Sequence, residues 1–192
     1  MSLPDRRLFV RLGSVALLAG GLAGCFQPMY AETTPGGGPG LRERMGDIEV
    51  VFVEGRLGNE VRNDLIFELT GGAGNPVGAP YRLFLKVADN TAAAIIDPVS
   101  GLPEVELVTV DVGWQLFEAD DKPGAPPVTV PPKDKKPIQQ GTAFGKASVD
   151  SGYQRFARQR AIRDAQNRSS KLAAQQIRGQ IASFLFSRAP KS

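Results

Sequence analysis

The sequence predicts an α+β fold: two helices packed on one face of a four-stranded, mostly antiparallel sheet, in the order β-α-β-β-β-α. Three observations predict it. Residues 81–87 and 104–117 alternate apolar and polar side chains with period two, the pattern of strands. Residues 57–70 and 151–186 repeat apolar side chains at helical spacing. Turn-forming clusters at 71–80 and 97–101 separate these runs.

Each element has its own signal. Residues 48–53 form the first strand, with Ile48, Val50 and Phe52 on one face and Val51 and Val53 on the other. Both faces are apolar, which predicts a central strand. The helix over 57–70 carries Leu57, Val61, Leu65 and Leu69 as one stripe, and Gly71 and Gly72 stop it. On the second strand Tyr81, Leu83, Leu85 and Val87 share a face, with Arg82, Phe84 and Lys86 opposite. Ala94, Ile95 and Ile96 allow it to continue to the reversal at 97–101. The third strand puts Val108, Val110, Val112, Trp114 and Leu116 on one face and Thr109, Asp111, Gly113 and Gln115 on the other. Six prolines make 120–137 a protruding loop. The fourth strand spans 138–149, where Gly141 and Gly145 are expected to weaken it. A long helix over 151–186 closes the fold, with a capping box at Ser151-Gly152-Tyr153-Gln154. Its apolar positions are Phe156, Ala161, Ala165, Leu172, Ile177, Ile181 and Leu185. The single domain is therefore 47–188, and no internal repeat is visible.

Composition removes several chemistries. The chain has 192 residues, one Cys and no His. Without His there is no Ser-His-Asp or Cys-His machinery and no His-based metal site. One Cys excludes an intramolecular disulfide, a redox pair and a Cys-only metal site. No cofactor or metal is expected. Carboxylates are the remaining enzymatic route, and Glu104 and Glu106 fall on one strand face. Such a pair more often guards an exposed strand edge, so no catalytic residue is assigned. The Gly-rich stretches at 36–40 and 71–74 lack the context of a phosphate loop. Trp114 and Tyr153 read as core.

The first 24 residues read as a signal peptide. Arg6, Arg7 and Arg11 precede a short apolar run over 12–22 that ends in small residues. The run is too short and Gly-rich for a permanent span. Leu22-Ala23-Gly24-Cys25 has the form of a bacterial lipobox, cleaved between Gly24 and Cys25, with the Cys25 thiol taking the lipid. Several acyl chains, at about 0.8 kcal/mol per buried CH₂, make a durable anchor. Phe26 follows the Cys in place of the Asp that retains such proteins in the inner membrane. The expected location is the periplasmic side of the outer membrane. Residues 25–46, rich in Gly and Pro, are expected to be a flexible tether.

Charge is divided along the chain. The formal net charge is +3, of which +2 lies in residues 1–24. Residues 25–150 carry −7 and residues 151–192 carry +8. The basic helix reads either as a solvated face balanced by the acidic body, or as a surface for an anion. An exported lipoprotein does not meet nucleic acid, so a phosphorylated glycolipid or an acidic protein is the fitting partner.

An ordered series of segments resembles one family. Cys25-Phe26-Gln27-Pro28-Met29-Tyr30 is similar to the C-G-F-x-P-L/M-Y opening of the LPS-assembly lipoprotein LptE family, with the Gly absent. Val61-Arg62-Asn63-Asp64-Leu65 resembles the family's first helix, and Ala79-Pro80-Tyr81-Arg82-Leu83 its second-strand entry. Ala161-Ile162-Arg163-Asp164-Ala165, with Leu172-Ala173 and Ile177, resembles its last helix. The resemblance implies a non-enzymatic subunit that plugs an LptD-type outer-membrane barrel, assists its assembly and helps deliver lipopolysaccharide to the outer leaflet. Arg82 and Lys86, which share the outward face of the second strand, are the candidate lipopolysaccharide contacts, and the 97–101 loop is a candidate to reach into the lumen. The other reading is a periplasmic scaffold or envelope-binding lipoprotein of another family.

Overall fold

The computed structural model describes residues 39–119, 129–150 and 155–188. The signal segment, Gly24, Cys25, the capping box at 151–154 and the middle of the Pro-rich loop lie outside the described residues. The elements run α1 (Leu41–Gly46), β1 (Ile48–Val50), α2 (Arg56–Thr70), β2 (Tyr81–Ile96), β3 (Pro103–Glu118), β4 (Gln139–Asp150) and α3 (Arg155–Ser187). The four strands form one sheet in the order β1-β2-β3-β4. β1 runs parallel to β2, across the α2 connection, and the other pairs are antiparallel. The α+β class and the order of the six predicted elements are as the sequence reads. The parallel pair follows from the helix between its strands, because a parallel neighbour needs a crossover.

The inner face of the sheet holds the core. Ile48, Val50, Leu83, Val110, Val112, Trp114, Leu116 and Ala143 meet Val61, Leu65 and Leu69 of α2 and Ile177, Ile181 and Leu185 of α3. Each of these leucines is nearly or fully buried, worth about 2 kcal/mol apiece in removed apolar surface. A smaller cluster of Val108, Ala147, Val149 and Ala165 extends the core toward the start of α3. The Trp114 indole N–H donates to Gln180 Oε1 at 2.8 Å, so its polar atom is paired.

Four details differ from the sequence reading. A short helix, α1, precedes β1 in the stretch expected to be tether, with Leu41 and Met45 buried in the main core. Arg44 Nη1 donates to the Leu185 carbonyl at 2.7 Å and ties this helix to the end of α3. β1 is three residues long and stands at the sheet edge, not its centre. Both its faces are apolar because Val51, just past it, packs with Phe84 and Phe117 on the outer face. The third detail is in α3, where Leu172 is 48% exposed and Ala173 and Ala174 are buried in its place. The fourth concerns β4. Gly145 is buried under α3, and a Cβ there would fall on the Ser169 carbonyl. A Cβ on Gly141 would lie 2.9 Å from the Trp114 ring. Gly145 and Ser169 let helix and sheet approach closely, and Gly141 leaves room for the Trp114 ring, so these glycines enable packing.

Candidate functional site

The outer face of the sheet carries no helix among the described residues, and its side chains follow from strand alternation. Arg82, Phe84 and Lys86 of β2 project there, beside Phe117, Gln115 and Gly113 of β3, their directly opposed partners. Gln140 and Thr142 of β4 continue the row across the sheet. Phe84 and Phe117 meet edge to face, with ring centroids 5.5 Å apart.

A groove of about 660 Å³ lies over this face. Val51, Phe52, Phe84, Gly113, Thr129 and Pro131 line it, together with the polar side chains of Gln115, Gln140 and Thr142. Phe52 is 54% exposed. Lys86 is exposed and also lines the groove. The chemistry is therefore an apolar slot with an ammonium beside it, suited to an acyl chain or aromatic ring joined to an anion. Among the described residues the lining includes no carboxylate and no titratable group besides Lys86.

The structure separates the two basic residues that the sequence groups together. Arg82 Nε lies 3.5 Å from Glu49 Oε2, and both side chains are mostly buried. The two stand directly opposite on β1 and β2, so this pair fastens the short strand. Lys86 has the groove. Phe52, Thr129 and Pro131 were missed from sequence. Gln115 and Gly113 were readable as outward-facing, but which loop would cover them was not.

The carboxylates are engaged elsewhere. Glu106 is 4% exposed, and both its oxygens accept from Arg158 of α3, one from Nε at 2.7 Å and the other from Nη2. The hydrogen bond to Glu106 raises the Arg158 pKa further. Glu104 stays exposed. Arg178 of α3 also meets an acid of the body, its Nη1 lying 3.0 Å from Glu68 Oε2, and Arg188, just past the helix, lies 3.8 Å from Glu118. Two cations of the basic helix, Arg158 and Arg178, are thus paired with acids of the body, while Arg160, Arg163 and Lys171 stay exposed. Among the described residues, no cluster of three metal-ligating side chains occurs. No described helix is long and apolar enough to cross a membrane.

Beyond the groove, β2 and β3 continue as a hairpin, with β4 still paired to β3 as far as Val105. Its tip is ordered by Asp97, whose carboxylate accepts from the Val99 N–H at 2.9 Å and the Ser100 hydroxyl at 2.6 Å. These bonds, the Ser100 hydroxyl first, lower the Asp97 pKa. Gly101 closes the turn at φ 69°, in the left-handed region that glycine favours. Ile95, Ile96, Val99 and Leu102 are all at least half exposed around it.

No family model matches the chain, and no curated protein matches it. Solved structures do. A chain from Caulobacter crescentus CB15, provisionally described as a lipoprotein, is 24% identical with a TM-score of 0.58, covering 78% of this chain and 97% of that one. A minor lipoprotein from Acinetobacter baumannii is 13% identical with a TM-score of 0.50, covering 72% of this chain and 90% of that one. Rare lipoprotein B from Shewanella oneidensis is 14% identical with a TM-score of 0.49, covering 73% and 96%. At these identities the first two likenesses establish a shared fold. The structural neighbours of this chain are bacterial lipoproteins.

Proposed function

We propose that the chain is an outer-membrane lipoprotein, lipidated at Cys25, that docks in an LptD-type barrel, assists its assembly and helps place lipopolysaccharide in the outer leaflet. One observation carries the reading. A sequence with a lipobox at Leu22–Cys25 and an LptE-like series of segments folds as bacterial lipoproteins do. The groove supplies the chemistry. Lipopolysaccharide presents acyl chains beside phosphates, and the slot presents Phe84 and Phe52 beside Lys86. The polar remainder of the outer face and the projecting hairpin suit the polar lumen of a large barrel.

Two measurements test it. Purification from membranes in mild detergent should bring down a large barrel protein in stoichiometric amount. Its absence, under conditions that preserve other membrane complexes, overturns the barrel assignment and leaves the scaffold reading. Lys86→Glu should lower lipopolysaccharide binding in vitro several-fold with an unchanged circular dichroism spectrum. Undiminished binding by that folded variant removes the groove from the mechanism. Arg82→Glu is the wrong probe, because it breaks the pair with Glu49 and loosens β1.

A further inference from the structure

Three glycines stand inside the described strands, Gly113 in β3 and Gly141 and Gly145 in β4. A glycine there costs stability, because it packs nothing and loses the most chain entropy on folding. Gly145 makes room for α3, and Gly141 for the Trp114 ring. Gly113 has no such neighbour. Among the described residues, the one atom within reach of a Cβ built on it is the Lys86 carbonyl oxygen, at an ordinary contact distance of 4.0 Å. Nor does the backbone ask for glycine. The ladder passes through without a bulge, Gly113 stands directly opposite Lys86 on one side and Thr142 on the other, and its φ is not positive. Where a strand glycine has neither reason, close approach of a ligand to the backbone is the one left.

The surroundings say what comes close. Gly113 belongs to the outer face and lines the groove, flanked by the side chains of Lys86 and Thr142 across the sheet and followed by Gln115 along the strand. The missing side chain leaves a gap one strand wide, open down to the peptide plane. On one flank it is apolar. Phe84, diagonally across from Gly113, is buried, and Phe117 holds its ring edge to face, so it forms a fixed wall. On the other flank the amides of Gln115 and Gln140 turn to each other, Nε2 to Oε1 at 3.5 Å. A gap about 4.8 Å wide, the spacing of neighbouring strands, takes a methylene chain, whose contact diameter is about 4 Å, and not a sugar or an aromatic ring laid flat. Lys86, at its rim, carries the charge for an anionic head.

We propose that Gly113 is the specificity-determining residue of the groove: it seats a single acyl chain against the sheet, with the anionic head of the same lipid at Lys86. The inference rests on the reading of the groove as a lipopolysaccharide contact, and it assigns that contact to one acyl chain at one residue. The sheet gives up strand stability at Gly113 to keep the seat open. Filling the seat should therefore remove binding without lowering stability. A glycine kept for internal packing behaves in the opposite way, since a side chain there lowers stability first.

The full chain, reconstituted in phosphatidylcholine vesicles, tests this with myristic acid bearing a terminal diazirine. Irradiation should label the unchanged chain on the peptides that carry Phe52, Phe84 and Gly113, and added lipopolysaccharide should compete the label away. Gly113→Val places a branched side chain, favoured in strands, in the gap. It should unfold at no lower denaturant than the unchanged chain, lose the label at least ten-fold and bind lipopolysaccharide several-fold more weakly. Gly113→Ala should fall between the two. The seat is overturned, and the groove reading stands, if Gly113→Val labels and binds as the unchanged chain does while Lys86→Glu still lowers lipopolysaccharide binding. The seat is equally overturned if Gly113→Ala and Gly113→Val unfold progressively earlier in denaturant, the result expected where residues 1–38 or 120–128 of this chain cover the floor. Unchanged lipopolysaccharide binding by both Gly113→Val and Lys86→Glu overturns the seat and the groove reading together.

Discussion

Gly145 has no side chain, and that absence sets how near α3 can lie to β4. Gly145→Ala forces a methyl group against the Ser169 backbone, where no rotamer can relieve it. The expected loss is about 3 kcal/mol, the upper part of the range for overpacking, read as a lower denaturant midpoint at unchanged slope. Residue patterns alone read this glycine as a defect in a strand, because its meaning lies in a helix contact distant in sequence. Asp64 is a second residue whose role was hidden. It lies on the polar side of α2, and its Oδ2 is buried without a hydrogen-bond partner among the described residues. Burial pushes its carboxyl from 3.8 up to about 6, with Glu60 and Glu68 adding to the rise and Lys171 opposing it. Between those values the folded chain keeps a proton that the unfolded chain has lost. Stability contributed by this group therefore falls as pH rises through that window. Asp64→Asn should stabilise the chain at pH 7 by no more than about 1 kcal/mol, since solvent screens the partly exposed group. The gain should vanish near pH 4, which thermal melts at the two pH values would reveal. Lys86 was legible because alternation fixes the face of each strand residue. Its separation from Arg82 was not, because that depends on Glu49 standing opposite.

The periodic elements were legible and the aperiodic ones were not. β2 and β3 announce themselves by alternation, and α2 by its four-residue stripe, since one face of each meets a core and the other does not. α1 spans under two turns, too short for a period to register among the neighbouring glycines and prolines. Its place in the fold rests on Leu41 and Met45. Leu41→Ala should cost about 2–3 kcal/mol, measured by chemical denaturation, whereas a residue of a free tether would cost almost nothing. β1 misled in the opposite direction. Its two apolar faces imply strands on either side, yet one face meets the main core and the other only Phe84 and Phe117. The exposure of Leu172 has a similar origin. A hydrophobicity stripe favours large side chains, while the helix buries Ala173 and Ala174 in the core and sets Ser169 against Gly145.

At the scale of the whole molecule, the division of charge along the sequence becomes an internal embrace. The acidic body holds the basic helix through Glu68 and Glu106, and Glu118 lies 3.8 Å from Arg188 just past its end. The net charge therefore says little about partners. What the molecule offers outward is one helix-free sheet face and one hairpin. The contact of Arg44 with Leu185 bears on how the chain could be threaded. It brings the start of the described fold beside its end, while the turn at 97–101 is largely exposed. A polypeptide that began within that turn and joined residue 188 to residue 39 by a short linker would preserve every strand neighbour. Chain order is thus separable from architecture in this fold, and its natural breakpoint is the tip of the hairpin.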